Sequence, residues 1–205
     1  MKKGLLLIGI TAAAVAVYFI FFAKDDTEQL KAPKQQPLAQ GRNTETFNKP
    51  FNDMLNSYFE LKDALVEWDT VKASAAAVKL ADLTDKVPLN EIKADSTIVE
   101  TAKSFSGSII AEAQAVAGEN TIEGKRRSFY TLSENLFNLL RTVQYDQQVI
   151  YYDKCPMAFN DNETAYWLAN ITEIVNPYLG NKHPKYKTGM LHCGSIEDSV
   201  NYVNK

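Results

Sequence analysis

FNKPFNDMLNSYFELKDALVEW, residues 47–68, sets Phe47, Phe51, Met54, Tyr58, Leu61, Leu65 and Trp68 at alternating spacings of four and three. That is the period of one face of an α-helix, and seven matches in a row predict a long amphipathic helix with an aromatic-rich buried side. Val71, Ala75, Val78 and Leu83 continue a weaker stripe toward Pro88, which ends it, and Ala73 to Ala77 is small enough for close packing on a neighbour.

Two further helices are expected downstream. Thr97-x-x-Glu100 reads as a capping box, followed by Ile98, Ala102, Phe105, Ile109 and Val116 on a buried face and Gly118 at the end. From Thr121, the residues Phe129, Leu132, Leu136, Leu139 and Val143 mark another apolar face, with Lys125, Arg126 and Arg127 in an early polar stretch. The expected fold class is therefore mainly α: an antiparallel bundle of about four helices in a domain spanning 44–205. Its C-terminal signature segment, 149–195, is irregular with a short strand. Val149 to Tyr152 is β-branched and aromatic, which reads as extended. Asn162 is expected to cap a short helix carrying Ala165, Trp167, Leu168 and Ile171, and Ile196 to Val203 to form a last helical turn or two.

The N-terminus has a different texture. Met1-Lys2-Lys3 is basic and Gly4 to Phe22 carries no charge over 19 residues, just long enough to cross a hydrocarbon core. Residues 1–23 are expected to be an uncleaved transmembrane signal anchor; the alternative is cleavage after Ala14-Val15-Ala16. The Gln-, Lys- and Pro-bearing stretch 24–43 reads as a flexible tether. Lys2 and Lys3 place the start in the cytoplasm and the domain beyond the inner membrane, in the periplasm. They are two of the 22 basic residues against 25 acidic ones, which leaves the exported part near −5. That balance argues against nucleic acid as a partner.

The chemistry-bearing residues are few and clustered. Cys155-Pro156-Met157 and Met190-Leu191-His192-Cys193-Gly194 hold both cysteines, one of two histidines and two of four methionines. Thiolates and thioethers select soft ions, above all Cu(I), so Cys155, Met157, Met190, His192 and Cys193 are the candidate metal ligands for Cu(I) or Ag(I). The competing reading is a structural Cys155–Cys193 disulfide, the usual fate of paired cysteines in an exported protein, with the methionines as core filler. In that case the chain is an envelope interaction module with Tyr151, Trp167 and Tyr178 supporting a protein-binding surface. His183 lies in a polar loop and reads as an exposed loop histidine or an auxiliary ligand. The sequence contains no nucleophile elbow, Gly-rich phosphate loop or H-E-x-x-H, so an enzyme is not expected. Glu60, Asp63 and Glu67 read as a solvated helix face.

Tyr152-x-x-Cys155-Pro156-Met157-Ala158-Phe159-Asn160, Ala165-x-Trp167-Leu168, Asn176-Pro177-Tyr178-x-Gly180 and Met190-Leu191-x-Cys193-Gly194 together resemble a bacterial domain family of unknown function, DUF3347. The resemblance implies a helical domain with a C-terminal signature, found in small exported proteins and appended to periplasmic adaptors of heavy-metal efflux systems. It implies copper or silver handling and a metal efflux component as partner, with no established activity. Residues 181–189 look like an insertion relative to that pattern.

Overall fold

A computed structural model describes residues 42–203. The expected anchor (1–23) and all but the last two residues of the expected tether (24–43) lie outside them. Among the described residues, no helix is long and apolar enough to cross a membrane.

In the described residues four helices come first: α1 (Glu45–Val66), α2 (Thr70–Asp85), α3 (Ser96–Gly118) and α4 (Ile122–Thr142), with a 3-10 turn (Leu89–Glu91) between α2 and α3. Three strands follow, β1 (Ile150–Phe159), β2 (Glu163–Ala169) and β3 (Ser195–Val200). They form one antiparallel sheet in the order β2-β1-β3.

α1 starts where Thr44 accepts the Phe47 amide, and Asp69 caps α2 in the same way through Lys72 N–H. The predicted stripe from Phe47 to Leu65 is fully buried. α1 also buries Leu55, Phe59, Lys62 and Val66, because it is covered by α2 on one side and by the sheet and α4 on another. Arg42 and Asn43 already touch the bundle, at Asp146 Oδ2 and Val143 O.

α2 buries the small stretch expected to pack closely, but not the weaker stripe through Val71, Ala75 and Val78. Val71 is 78% exposed, Val78 and Ala75 also face outward, and the buried face is Ala73, Ala76, Ala77, Leu80 and Ala81. Small side chains allow the backbones of α1 and α3 to approach from both sides, and Ser57 Oγ reaches Ala76 O at 3.4 Å. α3 begins at Ser96 with Asp95 in the N-cap position, earlier than the Thr97-x-x-Glu100 box predicted. Thr97 sits inside the first turn, where its carbonyl accepts Thr101 Oγ1. The predicted apolar face of α4 is buried throughout.

Two cations assigned to a polar stretch are buried. Lys125 Nζ donates to Val116 O and Ser74 Oγ, both at 2.7 Å, closing the C-terminal end of α3. Arg126 is 4% exposed.

The segment expected to be a helix after Asn162 is β2. The chain reverses at Asn160 and Asp161, both at positive φ, and Asn162 N–H returns to Phe159 O. Asn and Asp tolerate this conformation, so the polar run makes a hairpin turn rather than a helix cap. The expected final helix is β3, an edge strand with only Val200 buried. Its six residues alternate too little in hydrophobicity to signal a strand alone; pairing with β1 decides it.

Tyr58 locks sheet to bundle. Its ring stacks on Phe129 at 5.2 Å, its hydroxyl is 2.7 Å from Ser133 Oγ, and it accepts the Leu168 amide at 2.9 Å. Burial raises its pKa well above that of a free phenol, so it stays neutral.

Candidate metal centre at Cys155 and Cys193

Cys155 lies on β1 opposite Ala165, next to a register shift that runs from Cys155 to Phe159. Pro156 has no amide to donate there, and β3 pairs only with Ile150–Lys154, so the proline falls beyond the doubly paired part of the strand. Cys193 comes from the loop before β3. Its amide donates to Met190 O at 3.0 Å, and its carbonyl accepts Asn176 Nδ2 at 2.7 Å.

Asn176 is the clasp of this region. It is fully buried, its Oδ1 takes the amides of Tyr178 and Leu179, and its own backbone amide donates to Leu191 O. Gly194 completes the seat: a Cβ there would stand 2.5 Å from Lys154 O and 3.0 Å from the Trp167 ring, at a φ of +145°. The chain after Cys193 is thereby pressed against β1 beside Cys155. The two sulfurs face each other at 4.0 Å, about twice a disulfide bond length.

Cys155 is buried and Cys193 half-buried. Burial pushes the Cys155 thiol up to about 11; hydrogen bonds from the Met157 amide and Asn176 pull it back in part, and Cys193 adds to the rise. Cys155 is therefore a protonated thiol at neutral pH, and anything that binds its sulfur must displace a proton.

Met157 and Met190 are both partly buried against the same core. His192 is at the rim: its imidazole is exposed, Nδ1 lies 2.7 Å from Ile174 O and 3.9 Å from Glu173 Oε1. Donating Nδ1–H to the carbonyl leaves Nε2 with its lone pair, the arrangement common in metal-binding imidazoles. Among the described residues, no three His, Cys, Asp or Glu side chains converge as a metal-binding group. The donors that the fold brings together are two thiols, with Met157 and Met190 close to them in sequence, which fits a soft monovalent ion and not a zinc-type set.

His183 is built into another part of the molecule, edge-on to Trp68 at 5.7 Å and stacked on Tyr186 at 4.9 Å. Of the three aromatics expected to support a protein-binding surface in the stapled-module reading, Trp167 and Tyr178 are buried and Tyr151 is half-buried. Asn176-Pro177-Tyr178-x-Gly180 has a structural role. Gly180 at φ +61° lets the chain pass 2.5 Å (from a notional Cβ) over Val66 O, Asn181 N–H bonds that same carbonyl, and Trp68 Nε1 donates to Leu179 O.

Sequence reading missed Asp153, two residues before Cys155. It is fully buried, and among the described residues neither carboxylate oxygen has a hydrogen-bond partner, nor does the Nε1 of Trp167, its register partner on β2. An isolated Asp between two tyrosines and a lysine gives no hint of this in the sequence.

Residues 54–148 match the family model described as a protein of unknown function, DUF3347. The DUF3347 match covers most of α1 and all of α2, α3 and α4 and stops before β1, so the Cys/Met signature lies outside it. No curated protein and no solved structure matches the chain.

Proposed function

We propose that this chain is a membrane-tethered periplasmic domain that binds Cu(I) or Ag(I) through Cys155 and Cys193, accessory to heavy-metal efflux or homeostasis. The observation that carries this reading is the 4.0 Å gap between two sulfurs held by separate parts of the fold. With metal–sulfur bonds of about 2.3 Å, two thiolates sharing a trigonal ion stand roughly 4.0 Å apart. Met157, Met190 and His192 are the candidates for the remaining coordination. Thioethers and thiolates hold a soft ion and disfavour hard ones.

The mechanism is ligand exchange. The chain's own part is to keep two thiols facing one another, to shield Cys155 from solvent, and to give up a proton as each sulfur is engaged. An anchor and tether would raise the domain's local concentration beside a membrane transporter.

A second reading has its own support. Two-electron oxidation by an external disulfide oxidant, which takes up the electrons and protons of both thiols, would close the same two sulfurs, 38 positions apart, into a bridge that stabilises the fold by about 4 kcal/mol in the chain-entropy model. Competition of the reduced full chain against a chromogenic Cu(I) chelator separates the two. Stoichiometric withdrawal of copper that is lost in Cys155→Ser and Cys193→Ser supports the metal site. No withdrawal, or withdrawal unchanged in both variants, sinks it.

A further inference from the structure

We infer that a second site, lined by residues other than the cysteine pair, is a pocket that takes a small carboxylate on an apolar or aromatic body, with Arg126 as its cation. The cavity is about 300 Å³ and lies between the end of α1, the first turns of α4, the β1–β2 turn and the 178–184 segment. Trp68, Phe159 and Tyr178 supply aromatic surface, and Arg126, Glu123 and His183 supply the polar groups.

Arg126 is the decisive residue. Its guanidinium is buried, yet among the described residues no carboxylate stands within ion-pair distance of it. Two of its nitrogens are spoken for: Nε donates to Pro177 O at 2.7 Å and Nη2 to Leu65 O at 2.9 Å. Nη1 makes no hydrogen bond to a described residue, and the plane lies over the Trp68 ring at 4.1 Å. Carbonyls orient a guanidinium without neutralising it, and a buried unneutralised charge is costly. Burial accordingly lowers its pKa to about 9. A carboxylate entering the pocket would supply the missing countercharge and a charge-assisted bond to a rigidly held planar cation.

His183 adds a neutral donor. Its Nδ1 accepts the amides of Lys185 and Tyr186, both at 3.2 Å, so the ring proton sits on Nε2. Burial and the nearby Arg126 charge hold its pKa below the usual value, which keeps it uncharged. The loop carrying it is strapped to the β1–β2 turn, where Lys185 Nζ and Tyr186 Oη reach Asp161 at 2.6 and 2.9 Å. Residues that look like an insertion thus form one wall of a built pocket.

The other charges choose the ligand class. Glu123 lines the cavity too, and its Oε1 is paired with Arg127 at 3.1 Å. One carboxylate near the opening penalises a dianion such as phosphate more than a monoanion. The aromatic walls favour a ligand with an apolar body, as small-molecule pockets generally do.

The test uses benzoate, with benzamide as its uncharged counterpart, on the full-length chain, read by the shift of the Trp68 indole N–H in NMR. Benzoate is expected to saturate with a Kd on the order of 1 mM, and benzamide to bind at least about tenfold more weakly. Glu123→Gln should tighten benzoate several-fold and His183→Phe should weaken it several-fold; both leave Arg126's structural bonds in place. Benzoate that fails to saturate, benzamide that binds as well, or two variants without opposite effects would overturn the site.

Discussion

Replacing Asp153 by Asn is expected to stabilise this protein, and to do so only above about pH 5. Asp153 is wholly buried on β1, and neither oxygen has a hydrogen bond among the described residues. Burial pushes its carboxyl up to about 7, and the charge of Lys62 on α1 pulls it down only in part. Lys62 itself is committed to Asp63 at 3.1 Å, and Tyr58, the other titratable group facing Asp153, stays neutral. An unfolded Asp ionises near roughly 3.9. Between that value and about 7 the folded state holds a proton that the unfolded state has lost, so stability falls as pH rises. Across roughly three pH units at about 1.4 kcal/mol each, the loss reaches about 4 kcal/mol and is complete above about pH 7. Below about pH 4 both states are protonated and Asp153 contributes nothing of this kind. Asn removes the charge but leaves a buried amide, so a gain of about 2–3 kcal/mol at about pH 8 is expected, against almost none at about pH 4. Urea unfolding of wild type and variant at about pH 4, 6 and 8 measures this directly, because other titrating groups cancel in the difference. An Asp153→Asn protein less stable than wild type at the alkaline end, or a difference that does not change with pH, would refute the reasoning.

Three other substitutions probe the supports of the candidate sites. Tyr58→Phe should cost about 1–3 kcal/mol in denaturant unfolding, because the Leu168 amide loses its acceptor in the core. Gly180→Ala places a Cβ 2.5 Å from Val66 O at a φ of +61°, and a loss of roughly 2–4 kcal/mol with a shifted Trp68 indole resonance is expected. Asn176→Ala strands the Tyr178 and Leu179 amides and frees the Cys193 carbonyl. It should cost about 2–4 kcal/mol and slow diamide-induced coupling of Cys155 to Cys193; coupling at the wild-type rate would mean that Asn176 does not hold the sulfurs together.

The helical half was readable where a helix buries a face of large residues: Phe47 to Leu65 on α1 and Phe129 to Val143 on α4 lie where their spacing puts them. α2 was readable in part: Ala73, Ala76 and Ala77 pack as the small stretch suggests, but the larger side chains Val71 and Val78 point to solvent. Hydrophobic periodicity weighs size, and here helix proximity selects against it. The strands after Phe159 depend on a turn at Asn160-Asp161 and on pairing between segments far apart in the chain, such as Ile150 with Val200, neither of which a local pattern contains. Arg126 and Lys125 follow the same logic: the carbonyls of Leu65, Pro177 and Val116 and the hydroxyl of Ser74, distant in sequence, make their burial tolerable. At the cysteines, the two sulfurs lie 4.0 Å apart, while His192 turns its Nδ1 to Ile174 and His183 belongs to a different pocket.

Copper K-edge absorption on the reduced full-length chain loaded with one equivalent of Cu(I) tests the proposed centre most directly. A shared site at Cys155 and Cys193 predicts at least two sulfur scatterers at about 2.3 Å, with the sulfur shell lost in the Cys155→Ser, Cys193→Ser double variant. A first shell of nitrogen and oxygen only, or a sulfur shell unchanged in the double variant, would contradict it.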